Sequence, residues 1–274
     1  MSAPTVIPPG GGEIIGDSPH RRVEIVSDDD SLHATWSRFG PRRDGADLHV
    51  HHRHTDFFYV LEGEMAVGLG PDGDEVTAKA GTLARVPPLV VHGFRNAADA
   101  ELRYLNLHAP GEGFADYMRG LRDRRPIDFD QDDPPADGGR PATEAVVGGA
   151  EVLADEPGLR VALLADIEAL AISEACCEPG DPSPPPHVHG RHVESLYVLE
   201  GELALTAAGR ELRAEAGTWL QIAAGTAHTI GFPGAEPVRF LELHTPSCGY
   251  GAFLRALHDG SEERTGFDQQ RADT

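Results

Sequence analysis

Short apolar runs rich in Val, Leu, Tyr and Phe alternate with Gly-, Pro- and Asp-rich turns along most of the chain. The runs at 57–61, 64–69, 82–86 and 103–107 have strand length and β-branched or aromatic content, and many short strands between turns predict an all-β sandwich or small barrel. Two segments change period. Phe114, Tyr117, Met118 and Leu121 recur at i, i+3, i+4 and i+7, as do Tyr250, Phe253, Leu254 and Leu257. Each predicts a short helix whose apolar stripe packs on the strands before it.

The pattern is written twice. Residues 49–64 lie over 187–202 at an offset of 138, with 11 of 16 positions identical. Upstream, 13–19 lies over 151–157. Downstream the offset becomes 136, so that His92 meets His228 and 104–110 meets 240–246. The two extra residues of the first copy fall in the turn-like stretch 70–74. A repeat of this length means two copies of one domain rather than a solenoid. The boundaries read as a tail at 1–10, a first domain at 11–124, an Asp/Pro/Gly-rich linker at 125–148, a second domain at 149–260 and a tail at 261–274.

Composition narrows the partners. Twenty-three basic residues against 45 acidic ones leave a net charge of −22, which repels nucleic-acid phosphates and anionic lipid. No apolar run approaches the ~18–20 residues that span a bilayer, and the start lacks the basic and apolar regions of a signal peptide. Three cysteines, Cys176, Cys177 and Cys248, make no disulfide framework, and a cytoplasmic location is expected. Cys176 and Cys177 read as small buried side chains. A small-molecule substrate is the expected partner, with a monomer and a homodimer equally admissible.

The 14 histidines are not scattered. His187 and His189 are two apart, so on a strand both leave from one face. Glu194 follows, and His228 arrives after two glycine turns. Three imidazoles and a carboxylate suit Fe, Mn, Ni, Co, Cu or Zn and leave open positions for substrate, water or O₂. An isolated His-x-His is usually an ordinary surface pair; this one has a carboxylate and a distant histidine at matching offsets. His54 and His192 read as solvent-facing turn residues, with a role behind the ligands as the alternative. Alternation puts Tyr104, Asn106 and His108 on one face, and Phe240, Glu242 and His244 on its equivalent. Rim or surface packing is expected for them, and lining a pocket is the alternative. Glu62-Gly63-Glu64 and Glu200-Gly201-Glu202 read as turns between strands.

These motifs resemble the two cupin motifs. His187, His189, Glu194 and Gly201 follow the first, although Gly180 sits one residue too far upstream. Gly217, Gly225 and His228 follow the second, with Ala223 for Pro and Phe232 for Asn. The first copy has Gly81, Pro87, Leu89 in place of Gly, His92 and Asn96. The chain thus resembles a bicupin across nearly its full length. The resemblance implies two tandem double-stranded β-helix, or jelly-roll, barrels, each with a short C-terminal helix and up to one divalent metal. It also implies the ligand sets His187, His189, Glu194, His228 and His49, His51, Asp56, His92. Asp56 stands where the family has Glu, ~1.3–1.5 Å shorter in reach, so water-mediated binding or a three-histidine site is the expectation there.

Fold does not fix activity. The resemblance to quercetin-dioxygenase-like bicupins favours an enzyme, a dioxygenase that cleaves an enolic or phenolic substrate, with Glu194, or Asp56 in the first copy, as catalytic base. The alternatives are a non-redox isomerase or decarboxylase acting on a small hydroxy acid or sugar, and a non-catalytic ligand-binding bicupin.

Overall fold

In the computed structural model, residues 3–261 and 266–272 are described, and the apolar runs become antiparallel strands in two compact units. The first unit comprises residues 12–149; the second comprises 1–11 and 150–274. Each holds two sheets. In the first unit, seven strands run in the order Val146–Val147, Leu83–Val86, Thr55–Glu62, Leu102–Ala109, Leu32–Phe39, Arg21–Asp29, Glu13–Ser18. Four more form Arg43–Asp44, His92–Asn96, Glu64–Leu69, Asp74–Lys79. The second unit repeats this with Thr5–Ile7, Trp219–Ile222, Val193–Glu200, Val238–Thr245, Ala171–Cys177, Leu159–Asp166, Glu151–Glu156 in one sheet. Its other sheet runs Arg210–Glu215, Glu202–Ala207, His228–Gly231, His187–Val188, Gln270–Arg271. This is the expected jelly-roll arrangement, twice. Inward side chains form each core: Val23, Phe39, Phe58, Val60 and Val67 in the first unit, Val161, Leu196, Val198, Leu205 and Phe240 in the second.

The turns follow the expected chemistry. Ala207 and Arg210 are joined by Ala208 and Gly209, both at positive φ (49° and 73°), as the two-residue hairpin turn requires. The matching turn of the first unit spans 70–73 between Leu69 and Asp74, which is where the two extra residues go. Gly63 and Gly201 sit between strands at φ 78° and 76°, each against a carbonyl oxygen, of Glu101 and Pro237 respectively.

Helices occupy Phe114–Asp123 and Tyr250–Asp259. Phe114, Met118, Tyr250 and Leu254 are buried as the stripe predicts, but the last stripe positions are not: Leu121 is 52% and Leu257 60% exposed. Arg119 ties the first helix to Glu13 and Asp28, and Arg255 ties the second to Glu151 and Asp166.

The segments expected as tails and linker carry structure. Thr5–Ile7 adds an edge strand against Trp219–Gln221. Within the expected linker, Val146–Val147 pairs with Ala84–Arg85, and Phe129, Ala142 and Ala145 pack on the first core. Its Asp, Pro and Gly residues make the turns of a segment laid on the unit, and the few apolar residues between them fasten it. Past the second helix, Phe267 packs on the second core and Gln270–Arg271 pairs with His187–Val188. The expected tails' residues 1–2, 262–265 and 273–274 lie outside the described residues.

Gly63→Ala and Gly81→Ala separate conformational strain from collision. Both positions have positive φ, and only Gly63 has a neighbour in the way of a Cβ. Gly81→Ala should cost about 1–2 kcal/mol of stability and Gly63→Ala clearly more, read by denaturant unfolding. Equal losses would contradict the packing described.

Candidate metal centres

The backbone places the first cluster. Reciprocal backbone hydrogen bonds of 2.9 Å join His49 to His92, the residue that opens strand His92–Asn96. His51 leaves two residues later, and Asp56 points in from the second position of Thr55–Glu62. In the second unit His187 pairs with His228 in the same way, and Glu194 is second in Val193–Glu200. All eight side chains are buried, and in each unit the four ligand atoms lie within 4.8 Å of one another.

The Nδ1 of every histidine in these two sets faces a backbone carbonyl: His49 to Asp47 (2.7 Å), His51 to Asp130, His92 to Val90 (2.9 Å), His187 to Pro185 (2.9 Å), His189 to Asp268 (2.7 Å), His228 to Thr226 (2.9 Å). A carbonyl only accepts, so each Nδ1 carries the hydrogen and each Nε2 is left to point inward. His49 Nε2 lies 3.2 Å from His51 Nε2. Burial, reinforced by His92 and His51, pushes His49 down to about 3, and burial with His228 nearby lowers His187. His49 and His187 are thereby kept as neutral donors, and the donor set of each cluster fits a divalent transition metal.

The carboxylates differ between units. Burial opposes the charge of Asp56, but attraction to His108 and the close approach of His51 and His92 outweigh it and hold Asp56 well below the usual range. Glu194 is lowered in the same manner, against burial, by His189 and His228. Glu194 Oε2 sits 3.0 Å from His189 Nε2 and 2.7 Å from His228 Nε2; that contact, against burial, raises His228. Asp56 Oδ2 stands back, 3.3 Å from His92 and 3.7 Å from His51. The shorter side chain has the lesser reach anticipated, yet it remains in the cluster. Its Oδ1 accepts a hydrogen bond from Asn106 Nδ2 at 2.5 Å.

Four histidines are not where the sequence placed them. His54 and His192 do not face solvent, and His108 and His244 are not at a rim; all four are at most 2% exposed. His54 Nε2 is 2.8 Å from His108 Nδ1, and His192 Nε2 is 2.8 Å from His244 Nδ1. Burial carries His54 down to about 4 and His192 to about 3. The helices close over them: Phe114 stacks on His108 and Tyr250 lies against His244, with ring centroids 3.7 and 3.8 Å apart.

Sequence reasoning also missed Asp130 and Asp268. Asp130 accepts the backbone N–H groups of His52 (3.0 Å) and Arg53 (2.8 Å), and its own carbonyl holds His51. Asp268 does the same for Arg191 (2.5 Å) and His189. Phe129 and Phe267, each one residue earlier, pack against the histidine rings. A signal was present: Phe-Asp-Gln occurs at 129–131 and at 267–269, at the same offset of 138 as the His-x-His motifs.

In the first unit a cavity of about 450 Å³ opens on His49, His51 and Asp56. Its wall includes Phe39, Phe94, Tyr104, Phe114 and Tyr117, together with the acidic residues Asp44, Asp47, Asp132 and Asp133. Arg21 lines it too; its guanidinium lies 5.4 Å from the centroid of Phe39, and its buried Nε has no hydrogen-bond partner among the described residues. No helix among the described residues is long and apolar enough to cross a membrane.

Comparison with known proteins agrees with this geometry. A model of the cupin domain matches residues 35–108 and 173–244. Quercetin 2,3-dioxygenase of Bacillus subtilis (strain 168) is 34% identical over 96 residues, 34% of this chain and 28% of that protein. The match thus spans less than a third of the relative's length. Among solved structures, AerE from Microcystis aeruginosa superposes with a TM-score of 0.61 at 16% identity, covering 85% of this chain and 96% of that one. The oxalate decarboxylase–formate complex of Lactobacillus farciminis gives 0.60 at 14% identity, covering 90% and 87%. These two likenesses concern the fold.

Elemental analysis of protein saturated with zinc and then desalted should find two metal ions per chain. His51→Ala and His189→Ala should each leave one, and the double variant none. Retention of two ions by either single variant would contradict the assignment of that cluster.

Proposed function

The chain belongs to the cupin domain family, and from that premise we propose that its first unit is a metal-dependent dioxygenase site for a planar enolic or phenolic substrate. The observation that carries this reading is the aromatic-walled cavity opening on His49, His51 and Asp56. Its volume of about 450 Å³ lies in the range of small-molecule sites. A two-carbon acid would leave most of it empty, whereas a ring system would stack on the Phe and Tyr walls. The local likeness to a quercetin 2,3-dioxygenase supports the same class of substrate.

A divalent transition metal held by His49, His51, His92 and Asp56 would supply Lewis acidity toward a substrate hydroxyl and the redox chemistry through which O₂ reacts. The protein's own groups do the rest. The three imidazoles, locked through Nδ1, present Nε2 to one point and spend nothing on reorientation. Asp56 stays ionised at neutral pH, so its Oδ2 is the base within reach of a hydroxyl proton; Glu194 stands at the same position in the second unit. Phe114, over His108, keeps water from that side of the site. Arg21 offers an unpaired donor to an oxygen at the far end of the substrate. The second copy carries Leu159 at this place in the sheet, opposite Cys177 as Arg21 is opposite Phe39.

Oxygen uptake with a panel of polyphenols and diketones, after loading with Fe, Mn, Co or Ni, tests the reading. At least one pairing should consume O₂, and Asp56→Ala should remove at least about 99% of the rate. Arg21→Leu should raise KM roughly tenfold, as loss of a hydrogen bond from a charged donor does. Anaerobic release of CO₂ or an isomer, without O₂ uptake, would favour a non-redox lyase or isomerase instead.

A further inference from the structure

The two units bring the same five histidines together but anchor the carboxylate differently. In the first unit a run of close polar contacts leads from the returning segment to Asp56. Asp130 Oδ2 and Asn106 Oδ1 both accept, so the two neutral imidazoles between them bring two hydrogens to three of these contacts. The run acts by packing as well as by hydrogen bonds. Asp130 Oδ2 is 3.0 Å from His54 Nδ1, and His54 Nε2 is 2.8 Å from His108 Nδ1. His108 Nε2 is 3.2 Å from Asn106 Oδ1, and Asn106 Nδ2 donates to Asp56 Oδ1. Asn106 cannot be turned over, because its amide nitrogen also donates to the Phe57 carbonyl at 3.2 Å. Every member of the path is buried.

The second unit has the same parts with both ends open. His192 Nδ1 is 3.4 Å from Asp268 and is buried without a hydrogen-bond partner among the described residues. At the position of Asn106 stands Glu242, whose Oε1 faces His244 Nε2 at 3.0 Å. An ionised carboxylate has no hydrogen to give to a second carboxylate, so no counterpart of the Asn106–Asp56 bond exists. Glu194 has no need of one, since its longer side chain reaches His189 and His228 directly.

We propose that Asp130, His54, His108 and Asn106 form a positioning relay that fixes the Asp56 carboxylate, and that turnover resides in the first unit. This rests on the reading of that unit as the substrate site. Asp56 gives up reach toward the imidazoles and is steered from behind instead. One oxygen is fastened to Asn106 and the other is aimed at the metal position and the cavity. A base oriented by a third group, with that group itself held, is a recurrent way of keeping a proton acceptor in line. Glu194, pressed against two ligand imidazoles in a unit that lacks this path, holds its metal and takes no part in turnover.

Cobalt(II) reports on carboxylate placement without turnover. In protein whose second centre is silenced by His187→Ala and His189→Ala, Asp130→Asn and His54→Gln should each shift the visible cobalt bands. With quercetin as probe, each should lower kcat about tenfold to a hundredfold at little changed KM. The double variant should be no worse than the poorer single one, since members of one unit are not additive. Asn106→Leu, at the other end of the path, makes the same test if Asp130→Asn does not fold. With the first centre silenced by His49→Ala and His51→Ala, His192→Gln should leave the cobalt spectrum unchanged and quercetin should not turn over. Unshifted bands in Asp130→Asn and His54→Gln, multiplying losses in the double variant, or quercetin cleavage by the second centre alone would overturn the proposal. If the whole protein cleaves no quercetin under any metal, the dioxygenase reading fails, and the cobalt bands still decide the relay.

Discussion

Everything in the two sites depends on six backbone carbonyls. Each takes the Nδ1 hydrogen of one histidine and so leaves an Nε2 facing the cluster interior. Nitrogens without a hydrogen, such as His49 Nε2 and His51 Nε2 at 3.2 Å, repel one another and the ionised carboxylate beside them. Such a cluster is costly in isolation and becomes favourable around a cation. The jelly roll supplies those carbonyls from turns and strand ends far apart along the chain, and the sheets then hold the rings in place.

The carbonyls on His51 and His189 come from beyond the repeated strands. Both belong to the segment that returns after each helix, whose aspartate also binds backbone N–H groups of the loop following His-x-His. The matched cupin regions end at 108 and 244, so the centre of each unit is finished by residues outside them. Within this common frame the units have diverged at few positions. Aspartate for glutamate, asparagine at the end of the buried path, and arginine in the cavity wall distinguish the first from the second.

Much of this was legible in the sequence because duplication acts as an internal control. The His-x-His offset, the stripe of each helix and the turn that absorbs two extra residues each occur in both copies or differ in an interpretable way. His54, His192, His108 and His244 were misread for a physical reason. The stretch between His-x-His and the carboxylate looks like an exposed turn until something covers it, and the aspartates that cover His54 and His192 lie about 75 positions away. His108 and His244 are closed over by Phe114 and Tyr250 of the helices. The segments around Asp130 and Asp268 were hidden by their composition, since Asp, Pro and Gly serve a solvated linker and a laid-down strap equally well. Only the recurrence of Phe-Asp-Gln separates the two. Leu121 and Leu257 show the opposite limit: periodicity predicts a stripe, but the last turn of a ten-residue helix runs past the sheet it packs on.

The most direct test of the central claim is nitrogen-15 NMR of the histidine side chains in zinc-loaded protein. His49, His51, His92, His187, His189 and His228 should all carry a slowly exchanging hydrogen on Nδ1 and bind zinc through Nε2. Zinc on Nδ1 at any of the six, or imidazole signals that do not respond to zinc, would contradict it.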